Sequence, residues 1–380
     1  MINIVAVIDA EINGGKLRRF PNLACMKIAG YYKSKGVEVV LKTDYDDLEA
    51  YEKVYISKVF TKTKLDTKTL SLPNVEYGGT GFFYDKAKSL PGHIEHSFPD
   101  YRLYDGYVQR QLEKGVKTAA LKCFTDYSIG FLTRGCFRKC PFCVNRNSGK
   151  CITHSPLGEF YDPCRKKIML LDDNILAHNG WRRLVGELRS TGKPFTFKQG
   201  VDIRLVSTDF IELINQSKYD GELCFAFDDA ADSPLIERKL SMFREHSGKA
   251  VRMYLFCAYD RSGRYDENFW LSDIGSIFKR LEIISKYQAI PYLMRYGKYL
   301  GSPYSGIYKT LATYCNVGGV FKSSSFKGFC ENQLAMSVNK EKPCSRWRYY
   351  ADFVQRHPSF ETRFFSKDYW HMYNRTEDRQ

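Results

Sequence analysis

Three cysteines fall within eight residues of this 380-residue chain: Cys136, Cys140 and Cys143, in the run Thr133-Arg-Gly-Cys-Phe-Arg-Lys-Cys-Pro-Phe-Cys. A C-x3-C-x2-C spacing gathers three thiolates around one small volume. That suits three irons of a [4Fe-4S] cluster and leaves the fourth iron open for chemistry. Two plainer readings compete, a cluster of buried thiols and half of a zinc site, although structural zinc favours paired CxxC spacings that these gaps do not match. The preceding Ser128-Ile-Gly-Phe-Leu132 reads as a strand that delivers the loop.

With Phe142 between the second and third cysteines, the motif resembles that of the radical S-adenosylmethionine superfamily. The resemblance implies that Cys136, Cys140 and Cys143 are the cluster ligands and that Phe142 lies near the adenine. It further implies that the open iron chelates the amino and carboxylate groups of S-adenosylmethionine, which is cleaved to a 5'-deoxyadenosyl radical. An electron donor such as flavodoxin or ferredoxin is implied as a partner.

Elements after Asp126 must position these groups. Strands are expected at 128–132, 167–171, 195–201, 222–227, 251–257 and 290–294, with helices at 181–188, 209–216, 235–244 and 270–287 between them. Six such β/α units make a partial (β/α)6 barrel, the fold of the resembling superfamily, with functional residues at strand C-termini. The strand ends carry Asp172-Asp173-Asn174, then Lys198-Gln199 with Asp202 and Arg204, then Asp228-Asp229, Tyr259-Asp260-Arg261 and Arg295-Tyr296. By the resemblance, Asp172, Asp173 and Asn174 meet the amino group of S-adenosylmethionine, and Asp228 and Asp229 its ribose or methionyl part. Gln199 belongs to the same cofactor set. The competing reading for each is a helix N-cap, where Asp and Asn are favoured. Asp202 and Arg204 alternate along an expected strand, so both face one side and hold either substrate or each other.

Residues 1–82 alternate strands at 2–8, 37–42 and 53–59 with a helix at 21–35, an order that implies a Rossmann-like parallel sheet. This part resembles the cobalamin-binding-like domain that precedes the barrel in one branch of the superfamily, through Leu23 to Tyr31, the Tyr55 to Thr61 strand end and Gly78-Gly79. No D-x-H-x-x-G occurs, and about twenty residues separate Ser57 from Gly78, too few for the usual helix and strand. Cobalamin is therefore not favoured. The Gly78-Gly79-Thr80-Gly81 run is a weak phosphate loop with no expected helix after it. Methylthiotransferase chemistry is disfavoured too, since only Cys25 precedes Cys123. Residues 83–125, rich in Tyr with little periodicity, read as a linker and cap, 126–300 as the barrel and 301–380 as an aromatic-rich extension.

The formal charge is +15, and residues 101–200 hold 18 Lys or Arg against 8 Asp or Glu. Such a field suits an anionic substrate, with nucleic acid a candidate, entering over Arg134, Arg138, Lys139, Arg146 and Lys150; a solvated basic surface is the alternative. No apolar run is long enough for a bilayer span, and no signal peptide is evident, so a cytoplasmic protein is expected. Cys151 and Cys164, and Cys315, Cys330 and Cys344, either serve a second metal site or act as small apolar residues, the latter being favoured. The 10 aromatics after Glu331 either clamp bases or pack a helix, with packing favoured. The leading expectation is a radical enzyme that abstracts hydrogen from an anionic substrate. Cobalamin-dependent methyl transfer, peptide modification and a non-catalytic iron-sulfur nucleic-acid-binding protein remain open.

Overall fold

Strand β1 (Ile2–Asp9) buries both of its faces, Val5 and Val7 in one core and Ala6 and Ile8 in another. Only a strand covered on both sides of a sheet carries so continuous an apolar run. It lies between β2 (Glu38–Lys42) and β3 (Tyr51–Ser57), with β4 (Val75–Gly78) outside β3, and every pair is parallel. The computed structural model describes residues 2–13, 17–336 and 345–374. It is a mixed α/β protein with parallel sheets. Packing divides it into two units, Met1–Gln199 with Lys218–Asp220, and Gly200–Ser217 with Gly221–Gln380.

Local chemistry moves several expected boundaries. The helix expected from Pro21 spans Leu23–Ser34, because the Asn22 side chain accepts from the backbone N–H groups of Ala24 and Cys25 and so fixes the start. Strand β3 ends at Ser57 rather than Val59. A helical turn, Thr80–Phe83, does follow Gly79, which has φ +107° and leaves no room for a Cβ, since one would lie 2.3 Å from the Lys58 carbonyl oxygen. The short interval after β3 holds β4 and a 3-10 turn, Thr67–Ser71, but no full helix.

Residues 83–125, expected as a linker and cap, fold into the first unit. Tyr101, Leu103, Tyr104, Tyr107, Leu121 and Phe124 share a core with Val5, Val7, Cys25 and Met26, and Asp105–Glu113 is helical. Large aromatic side chains bury enough apolar area to do this without a strict period. Tyr104 also donates to Asp9 (2.8 Å), whose other oxygen accepts from the Glu11 backbone N–H (3.1 Å).

The first unit continues with β5 (Tyr127–Gly130), the hairpin of β6 (Thr133–Arg134) and β7 (Ile152–Thr153), then β8 (Lys167–Leu170) and β9 (Phe195–Phe197); β5, β8 and β9 form a parallel sheet in that order. The second unit holds the parallel sheet β10 (Leu223–Ala226), β11 (Val251–Cys257) and β12 (Ile290–Arg295). Helices Trp181–Ser190, Thr208–Asn215, Ser233–His246 and Glu267–Lys286 fall close to their expected places. Within the last of these, Arg280 is buried and donates to the carbonyls of Phe227 (2.8 Å) and Phe256 (2.9 Å), tying the ends of β10 and β11. The aromatic tail packs: Phe353, Phe365 and Tyr369 are fully buried, with the Phe365 ring 5.2 Å from Phe278.

Burial pushes the Asp9 carboxyl up to about 7, against the opposing bond from Tyr104. From about pH 4 to about pH 7 the unfolded chain therefore releases this proton before the folded chain does, and stability falls as pH rises through that window. Calorimetric midpoints of the wild type, taken relative to Asp9→Asn, are expected to drop across it. A difference that stays constant with pH would show Asp9 ionised in the fold throughout.

Candidate functional site

Strands β5 and β8 are parallel neighbours, so their C-terminal ends share one sheet edge. The cysteine loop leaves from the first and the acidic run from the second. Pairing of Thr133 with Thr153 and Arg134 with Ile152 closes the loop at its base. Asp172, 2% exposed, reaches back to accept from the backbone N–H of Leu132 (3.2 Å) and from the N–H and hydroxyl of Thr133 (both 2.6 Å). Asp173 accepts from the Gly135 N–H (2.7 Å) and from the Asn145 side-chain amide. Gly135 has φ +87°, and a Cβ there would lie 2.4 Å from the Lys150 carbonyl oxygen, so this position demands glycine.

Burial raises both carboxyls, Asp172 to about 6, although three donors face it. Desolvation thus outweighs the hydrogen bonds and costs the ionised form on the order of 3 kcal/mol at neutral pH. Deleting the side chain would strand buried N–H groups, at about 1 to 3 kcal/mol for each one left unpaired.

The loop aims donors at its sulfurs. Backbone N–H groups of Arg138 and Asn145 point to Cys136 Sγ (3.3 Å) and Cys143 Sγ (3.4 Å), and Asn174 Nδ2 lies 3.6 Å from Cys136 Sγ. N–H donors of this kind soften the charge on a sulfur that ligates a cluster, and all three cysteines are half-buried. Among the described residues no three His, Cys, Asp or Glu side chains converge as ligands of one metal ion. Three cysteine sulfurs, two of them facing backbone N–H donors, are the donor chemistry that a [4Fe-4S] cluster takes.

Asp172 is buried and Asp173 half-buried, and both oxygens of each accept from the loop or its side chains. Neither caps a helix: the 3-10 turn Ile175–Ala177 has Asn174 at its cap position, with no side-chain cap bond. Phe142 is half-buried, and its carbonyl accepts from Tyr84 OH (2.8 Å). Of the expected basic face, Arg146 braces the loop through Asp85 (2.7 Å) and the Pro141 carbonyl (2.9 Å), whereas Lys139 and Lys150 are exposed. Thr133, Asn145, Tyr84 and Asp85 were not singled out by the sequence. The first two flank the motif, which is the signal that could have marked them.

Gln199 is exposed in the turn after β9, at the end of the first unit. In the second unit, Asp202 and Arg204 do not lie on a strand. The positive φ of Gly200 (+82°) ends the extended run, and Asp202 caps the 3-10 turn Ile203–Leu205. Arg204 bonds Asp202 through Nε (2.7 Å) and Asp232 through Nη1 (2.7 Å). Asp229 accepts from the Ala231 N–H (3.0 Å), a cap, and pairs with Arg261 (3.0 Å). Asp228 differs: its Oδ1 is buried with no hydrogen-bond partner among the described residues, and burial lifts its carboxyl to about 6 despite Arg280 and Arg204 nearby. Cys151 is half-buried, and its thiol lies 3.6 Å from the Asn174 carbonyl; Cys164 is exposed, and Cys315 and Cys330 are buried. Cys344 lies outside the described residues.

Asp172→Ala is expected to lower stability by about 3 kcal/mol, the cost of leaving buried donors unpaired. Asp229→Ala, which removes only a cap and an exposed pair, should cost about 1 kcal/mol. Urea unfolding measures both; equal losses would mean that Asp172 does not hold the loop.

No family model matches the sequence, and no curated protein matches it. Among solved structures, the chain is similar to the cobalamin-dependent S-adenosylmethionine radical enzyme OxsB with aqua-cobalamin bound, at TM-score 0.36 and 11% identity over 77% of this chain and 49% of that one. It is also similar to Streptococcus suis SuiB bound to the precursor peptide SuiA, at TM-score 0.34 and 12% identity over 77% of this chain and 56% of that one. The chain thus spans about half the length of each.

Proposed function

We propose that this chain is a radical S-adenosylmethionine enzyme that holds a [4Fe-4S] cluster on Cys136, Cys140 and Cys143 and modifies an anionic substrate. The observation that carries this reading is the cysteine loop: a C-x3-C-x2-C motif with N–H donors on two sulfurs, fixed by two carboxylates from the neighbouring strand. When bound, such a cluster supplies the electron that cleaves S-adenosylmethionine to a 5'-deoxyadenosyl radical. Asp172 and Asp173 hold the loop backbone in place. Asn174 and the two backbone donors stabilise thiolate charge, and Phe142 offers a ring beside the adenine. Asp228 offers a buried oxygen that would accept from a hydroxyl or ammonium group, with Asp229 next to it after β10; Gln199, after β9 in the first unit, is assigned to the cofactor as well. Asp202 and Arg204 are assigned to the substrate side, where their mutual ion pair would first have to open.

The finer fold belongs to the same reading: a Rossmann-like sheet over 1–82, a segment over 83–125, a partial (β/α)6 barrel over 126–300 and a C-terminal extension over 301–380. Two three-stranded parallel sheets, β5-β8-β9 in the first unit and β10-β11-β12 in the second, with helices after β8, β9, β10 and β11, support it. A cytoplasmic setting with a flavodoxin or ferredoxin as electron donor would suit a reducible cluster. No helix among the described residues is long and apolar enough to cross a membrane. Cobalamin is left out. In open parallel sheets ligands sit beyond the strand C-termini, and here Asn22 Nδ2 bonds Ser57 Oγ (2.9 Å), Tyr104 bonds Asp9, and Glu11 accepts from Val59 and Phe60 across that edge.

Anaerobically reconstituted protein is expected to carry about four irons per chain, absorb near about 400 nm, and release 5'-deoxyadenosine from S-adenosylmethionine with dithionite. The Cys136→Ala/Cys140→Ala/Cys143→Ala variant should lose all three. Four irons kept in that variant would remove the assignment. Protein expressed with hydroxocobalamin should purify without corrinoid, and one corrinoid per chain would instead support cobalamin-dependent methyl transfer.

A further inference from the structure

The first unit exposes an aromatic face at the edge of its core, where Phe82 packs inward and its neighbours stay open to solvent. Phe60 is 53% exposed, Phe83 43%, Tyr77 42% and Tyr84 38%. The rings are organised: Tyr77 and Phe83 lie nearly parallel, 14° apart with centroids at 5.8 Å, and Phe82 closes the group at 4.9 Å from Tyr77. Phe60 joins the same sheet edge, since Thr80 donates to the carbonyl of the adjacent Val59 (2.9 Å). At the other end, Tyr84 donates to the Phe142 carbonyl, so the face runs into the cysteine loop. Contiguous exposed aromatics of this kind mark an interaction site in a soluble protein.

Cations accompany the rings. Arg18 lies over Phe60 (5.0 Å) and Lys58 over Phe82 (5.2 Å). Lys62, Lys64, Lys86 and Lys88 are exposed on the flanking segments. The acids between 58 and 88 are Asp66, Glu76 and Asp85, of which Glu76 pairs with Lys53 and Asp85 with Arg146. Glu11 also reaches this edge, accepting from the Val59 and Phe60 N–H groups, so the six cations named here stand beside four carboxylates and the charge along the rings is net positive.

We infer that this face binds single-stranded nucleic acid, with bases stacking on Tyr77, Phe83 and Phe60 and phosphates meeting Lys62, Lys64, Lys86 and Lys88. Planar rings left open to solvent beside separated ammonium groups match a strand whose bases are unpaired and whose charge repeats along a backbone. An acidic peptide would use the cations but would gain little from the rings. The inference names a partner for the proposed enzyme, yet it stands on observations separate from the cysteine motif.

The test is fluorescence anisotropy on the full chain, with labelled single-stranded RNA and DNA of about twelve nucleotides. A duplex of the same sequence, poly-glutamate of equal charge and anionic phosphatidylserine vesicles serve as competitors. Single strands should bind best, with a log-log salt slope of roughly 0.7 per phosphate contact. Tyr77→Ala/Phe83→Ala should weaken binding about tenfold or more with the slope kept, whereas Lys62→Ala/Lys64→Ala should lower the slope by roughly 1 to 1.5. If the ring double variant fails to fold, Phe83→Leu, which keeps apolar volume without a ring, gives the same readout. Equal binding of duplex, poly-glutamate or vesicles, or affinity unchanged in the ring variants, would overturn the inference. Iron content and 5'-deoxyadenosine release measured on the same preparations show separately whether the enzyme assignment stands.

Discussion

Two adjacent carboxylates at the end of β8 hold the backbone of a loop that leaves the end of β5, and the placement of the three cysteines depends on that contact. Parallel pairing makes the reach short, because both strand ends open on the same edge. A closed loop of this length would otherwise sample many conformations, and fixing it costs backbone entropy. The β6–β7 pairing, the Arg146–Asp85 bridge and the Tyr84–Phe142 bond share that cost. These contacts fix the loop backbone from both strand ends and so define where its three cysteines sit.

Buried carboxylates recur, and their neighbours decide their charge. At Asp9, Asp172 and Asp228, burial dominates and lifts the carboxyl toward neutrality. Glu95 is also desolvated, yet His154 and Lys27 face it directly and hold it down to about 2. A local cation wins there because it sits at contact distance, 2.8 Å for Lys27 Nζ. Glu95 thereby anchors His154, which follows β7 and whose backbone N–H bonds the Leu132 carbonyl, so this contact also supports the base of the cysteine loop.

The first unit joins its N-terminal sheet to the cysteine-bearing part through the aromatic residues of 83–125. Tyr101 shows how: its hydroxyl donates to the Phe160 carbonyl (2.6 Å) and accepts from the Ile129 N–H (2.8 Å), while its ring lies in the core with Val5 and Met26. One side chain thus serves both apolar packing and the ladder of β5. Such residues have no helical or strand period, so composition alone made the segment look like a connection.

The cysteine spacing, the alternation of strands and helices and most strand positions were legible in the sequence, because metal-ligand spacing and apolar periodicity are local properties. The polar residues at strand ends were legible as positions. Asp172, Asp173 and Asn174 read equally as ligand contacts or as caps, and only the adjacency of β5 and β8 shows that the first two bind the loop and that Asn174 faces Cys136. Asp202 and Arg204 read as strand neighbours, whereas a positive φ at Gly200 turns them into a capped turn and an ion pair. The stacked Tyr77 and Phe83 and the unpartnered oxygen of Asp228 depend on what other segments leave uncovered. Exposure and hydrogen-bond partners are set by residues distant in sequence, so tertiary packing alone decided them.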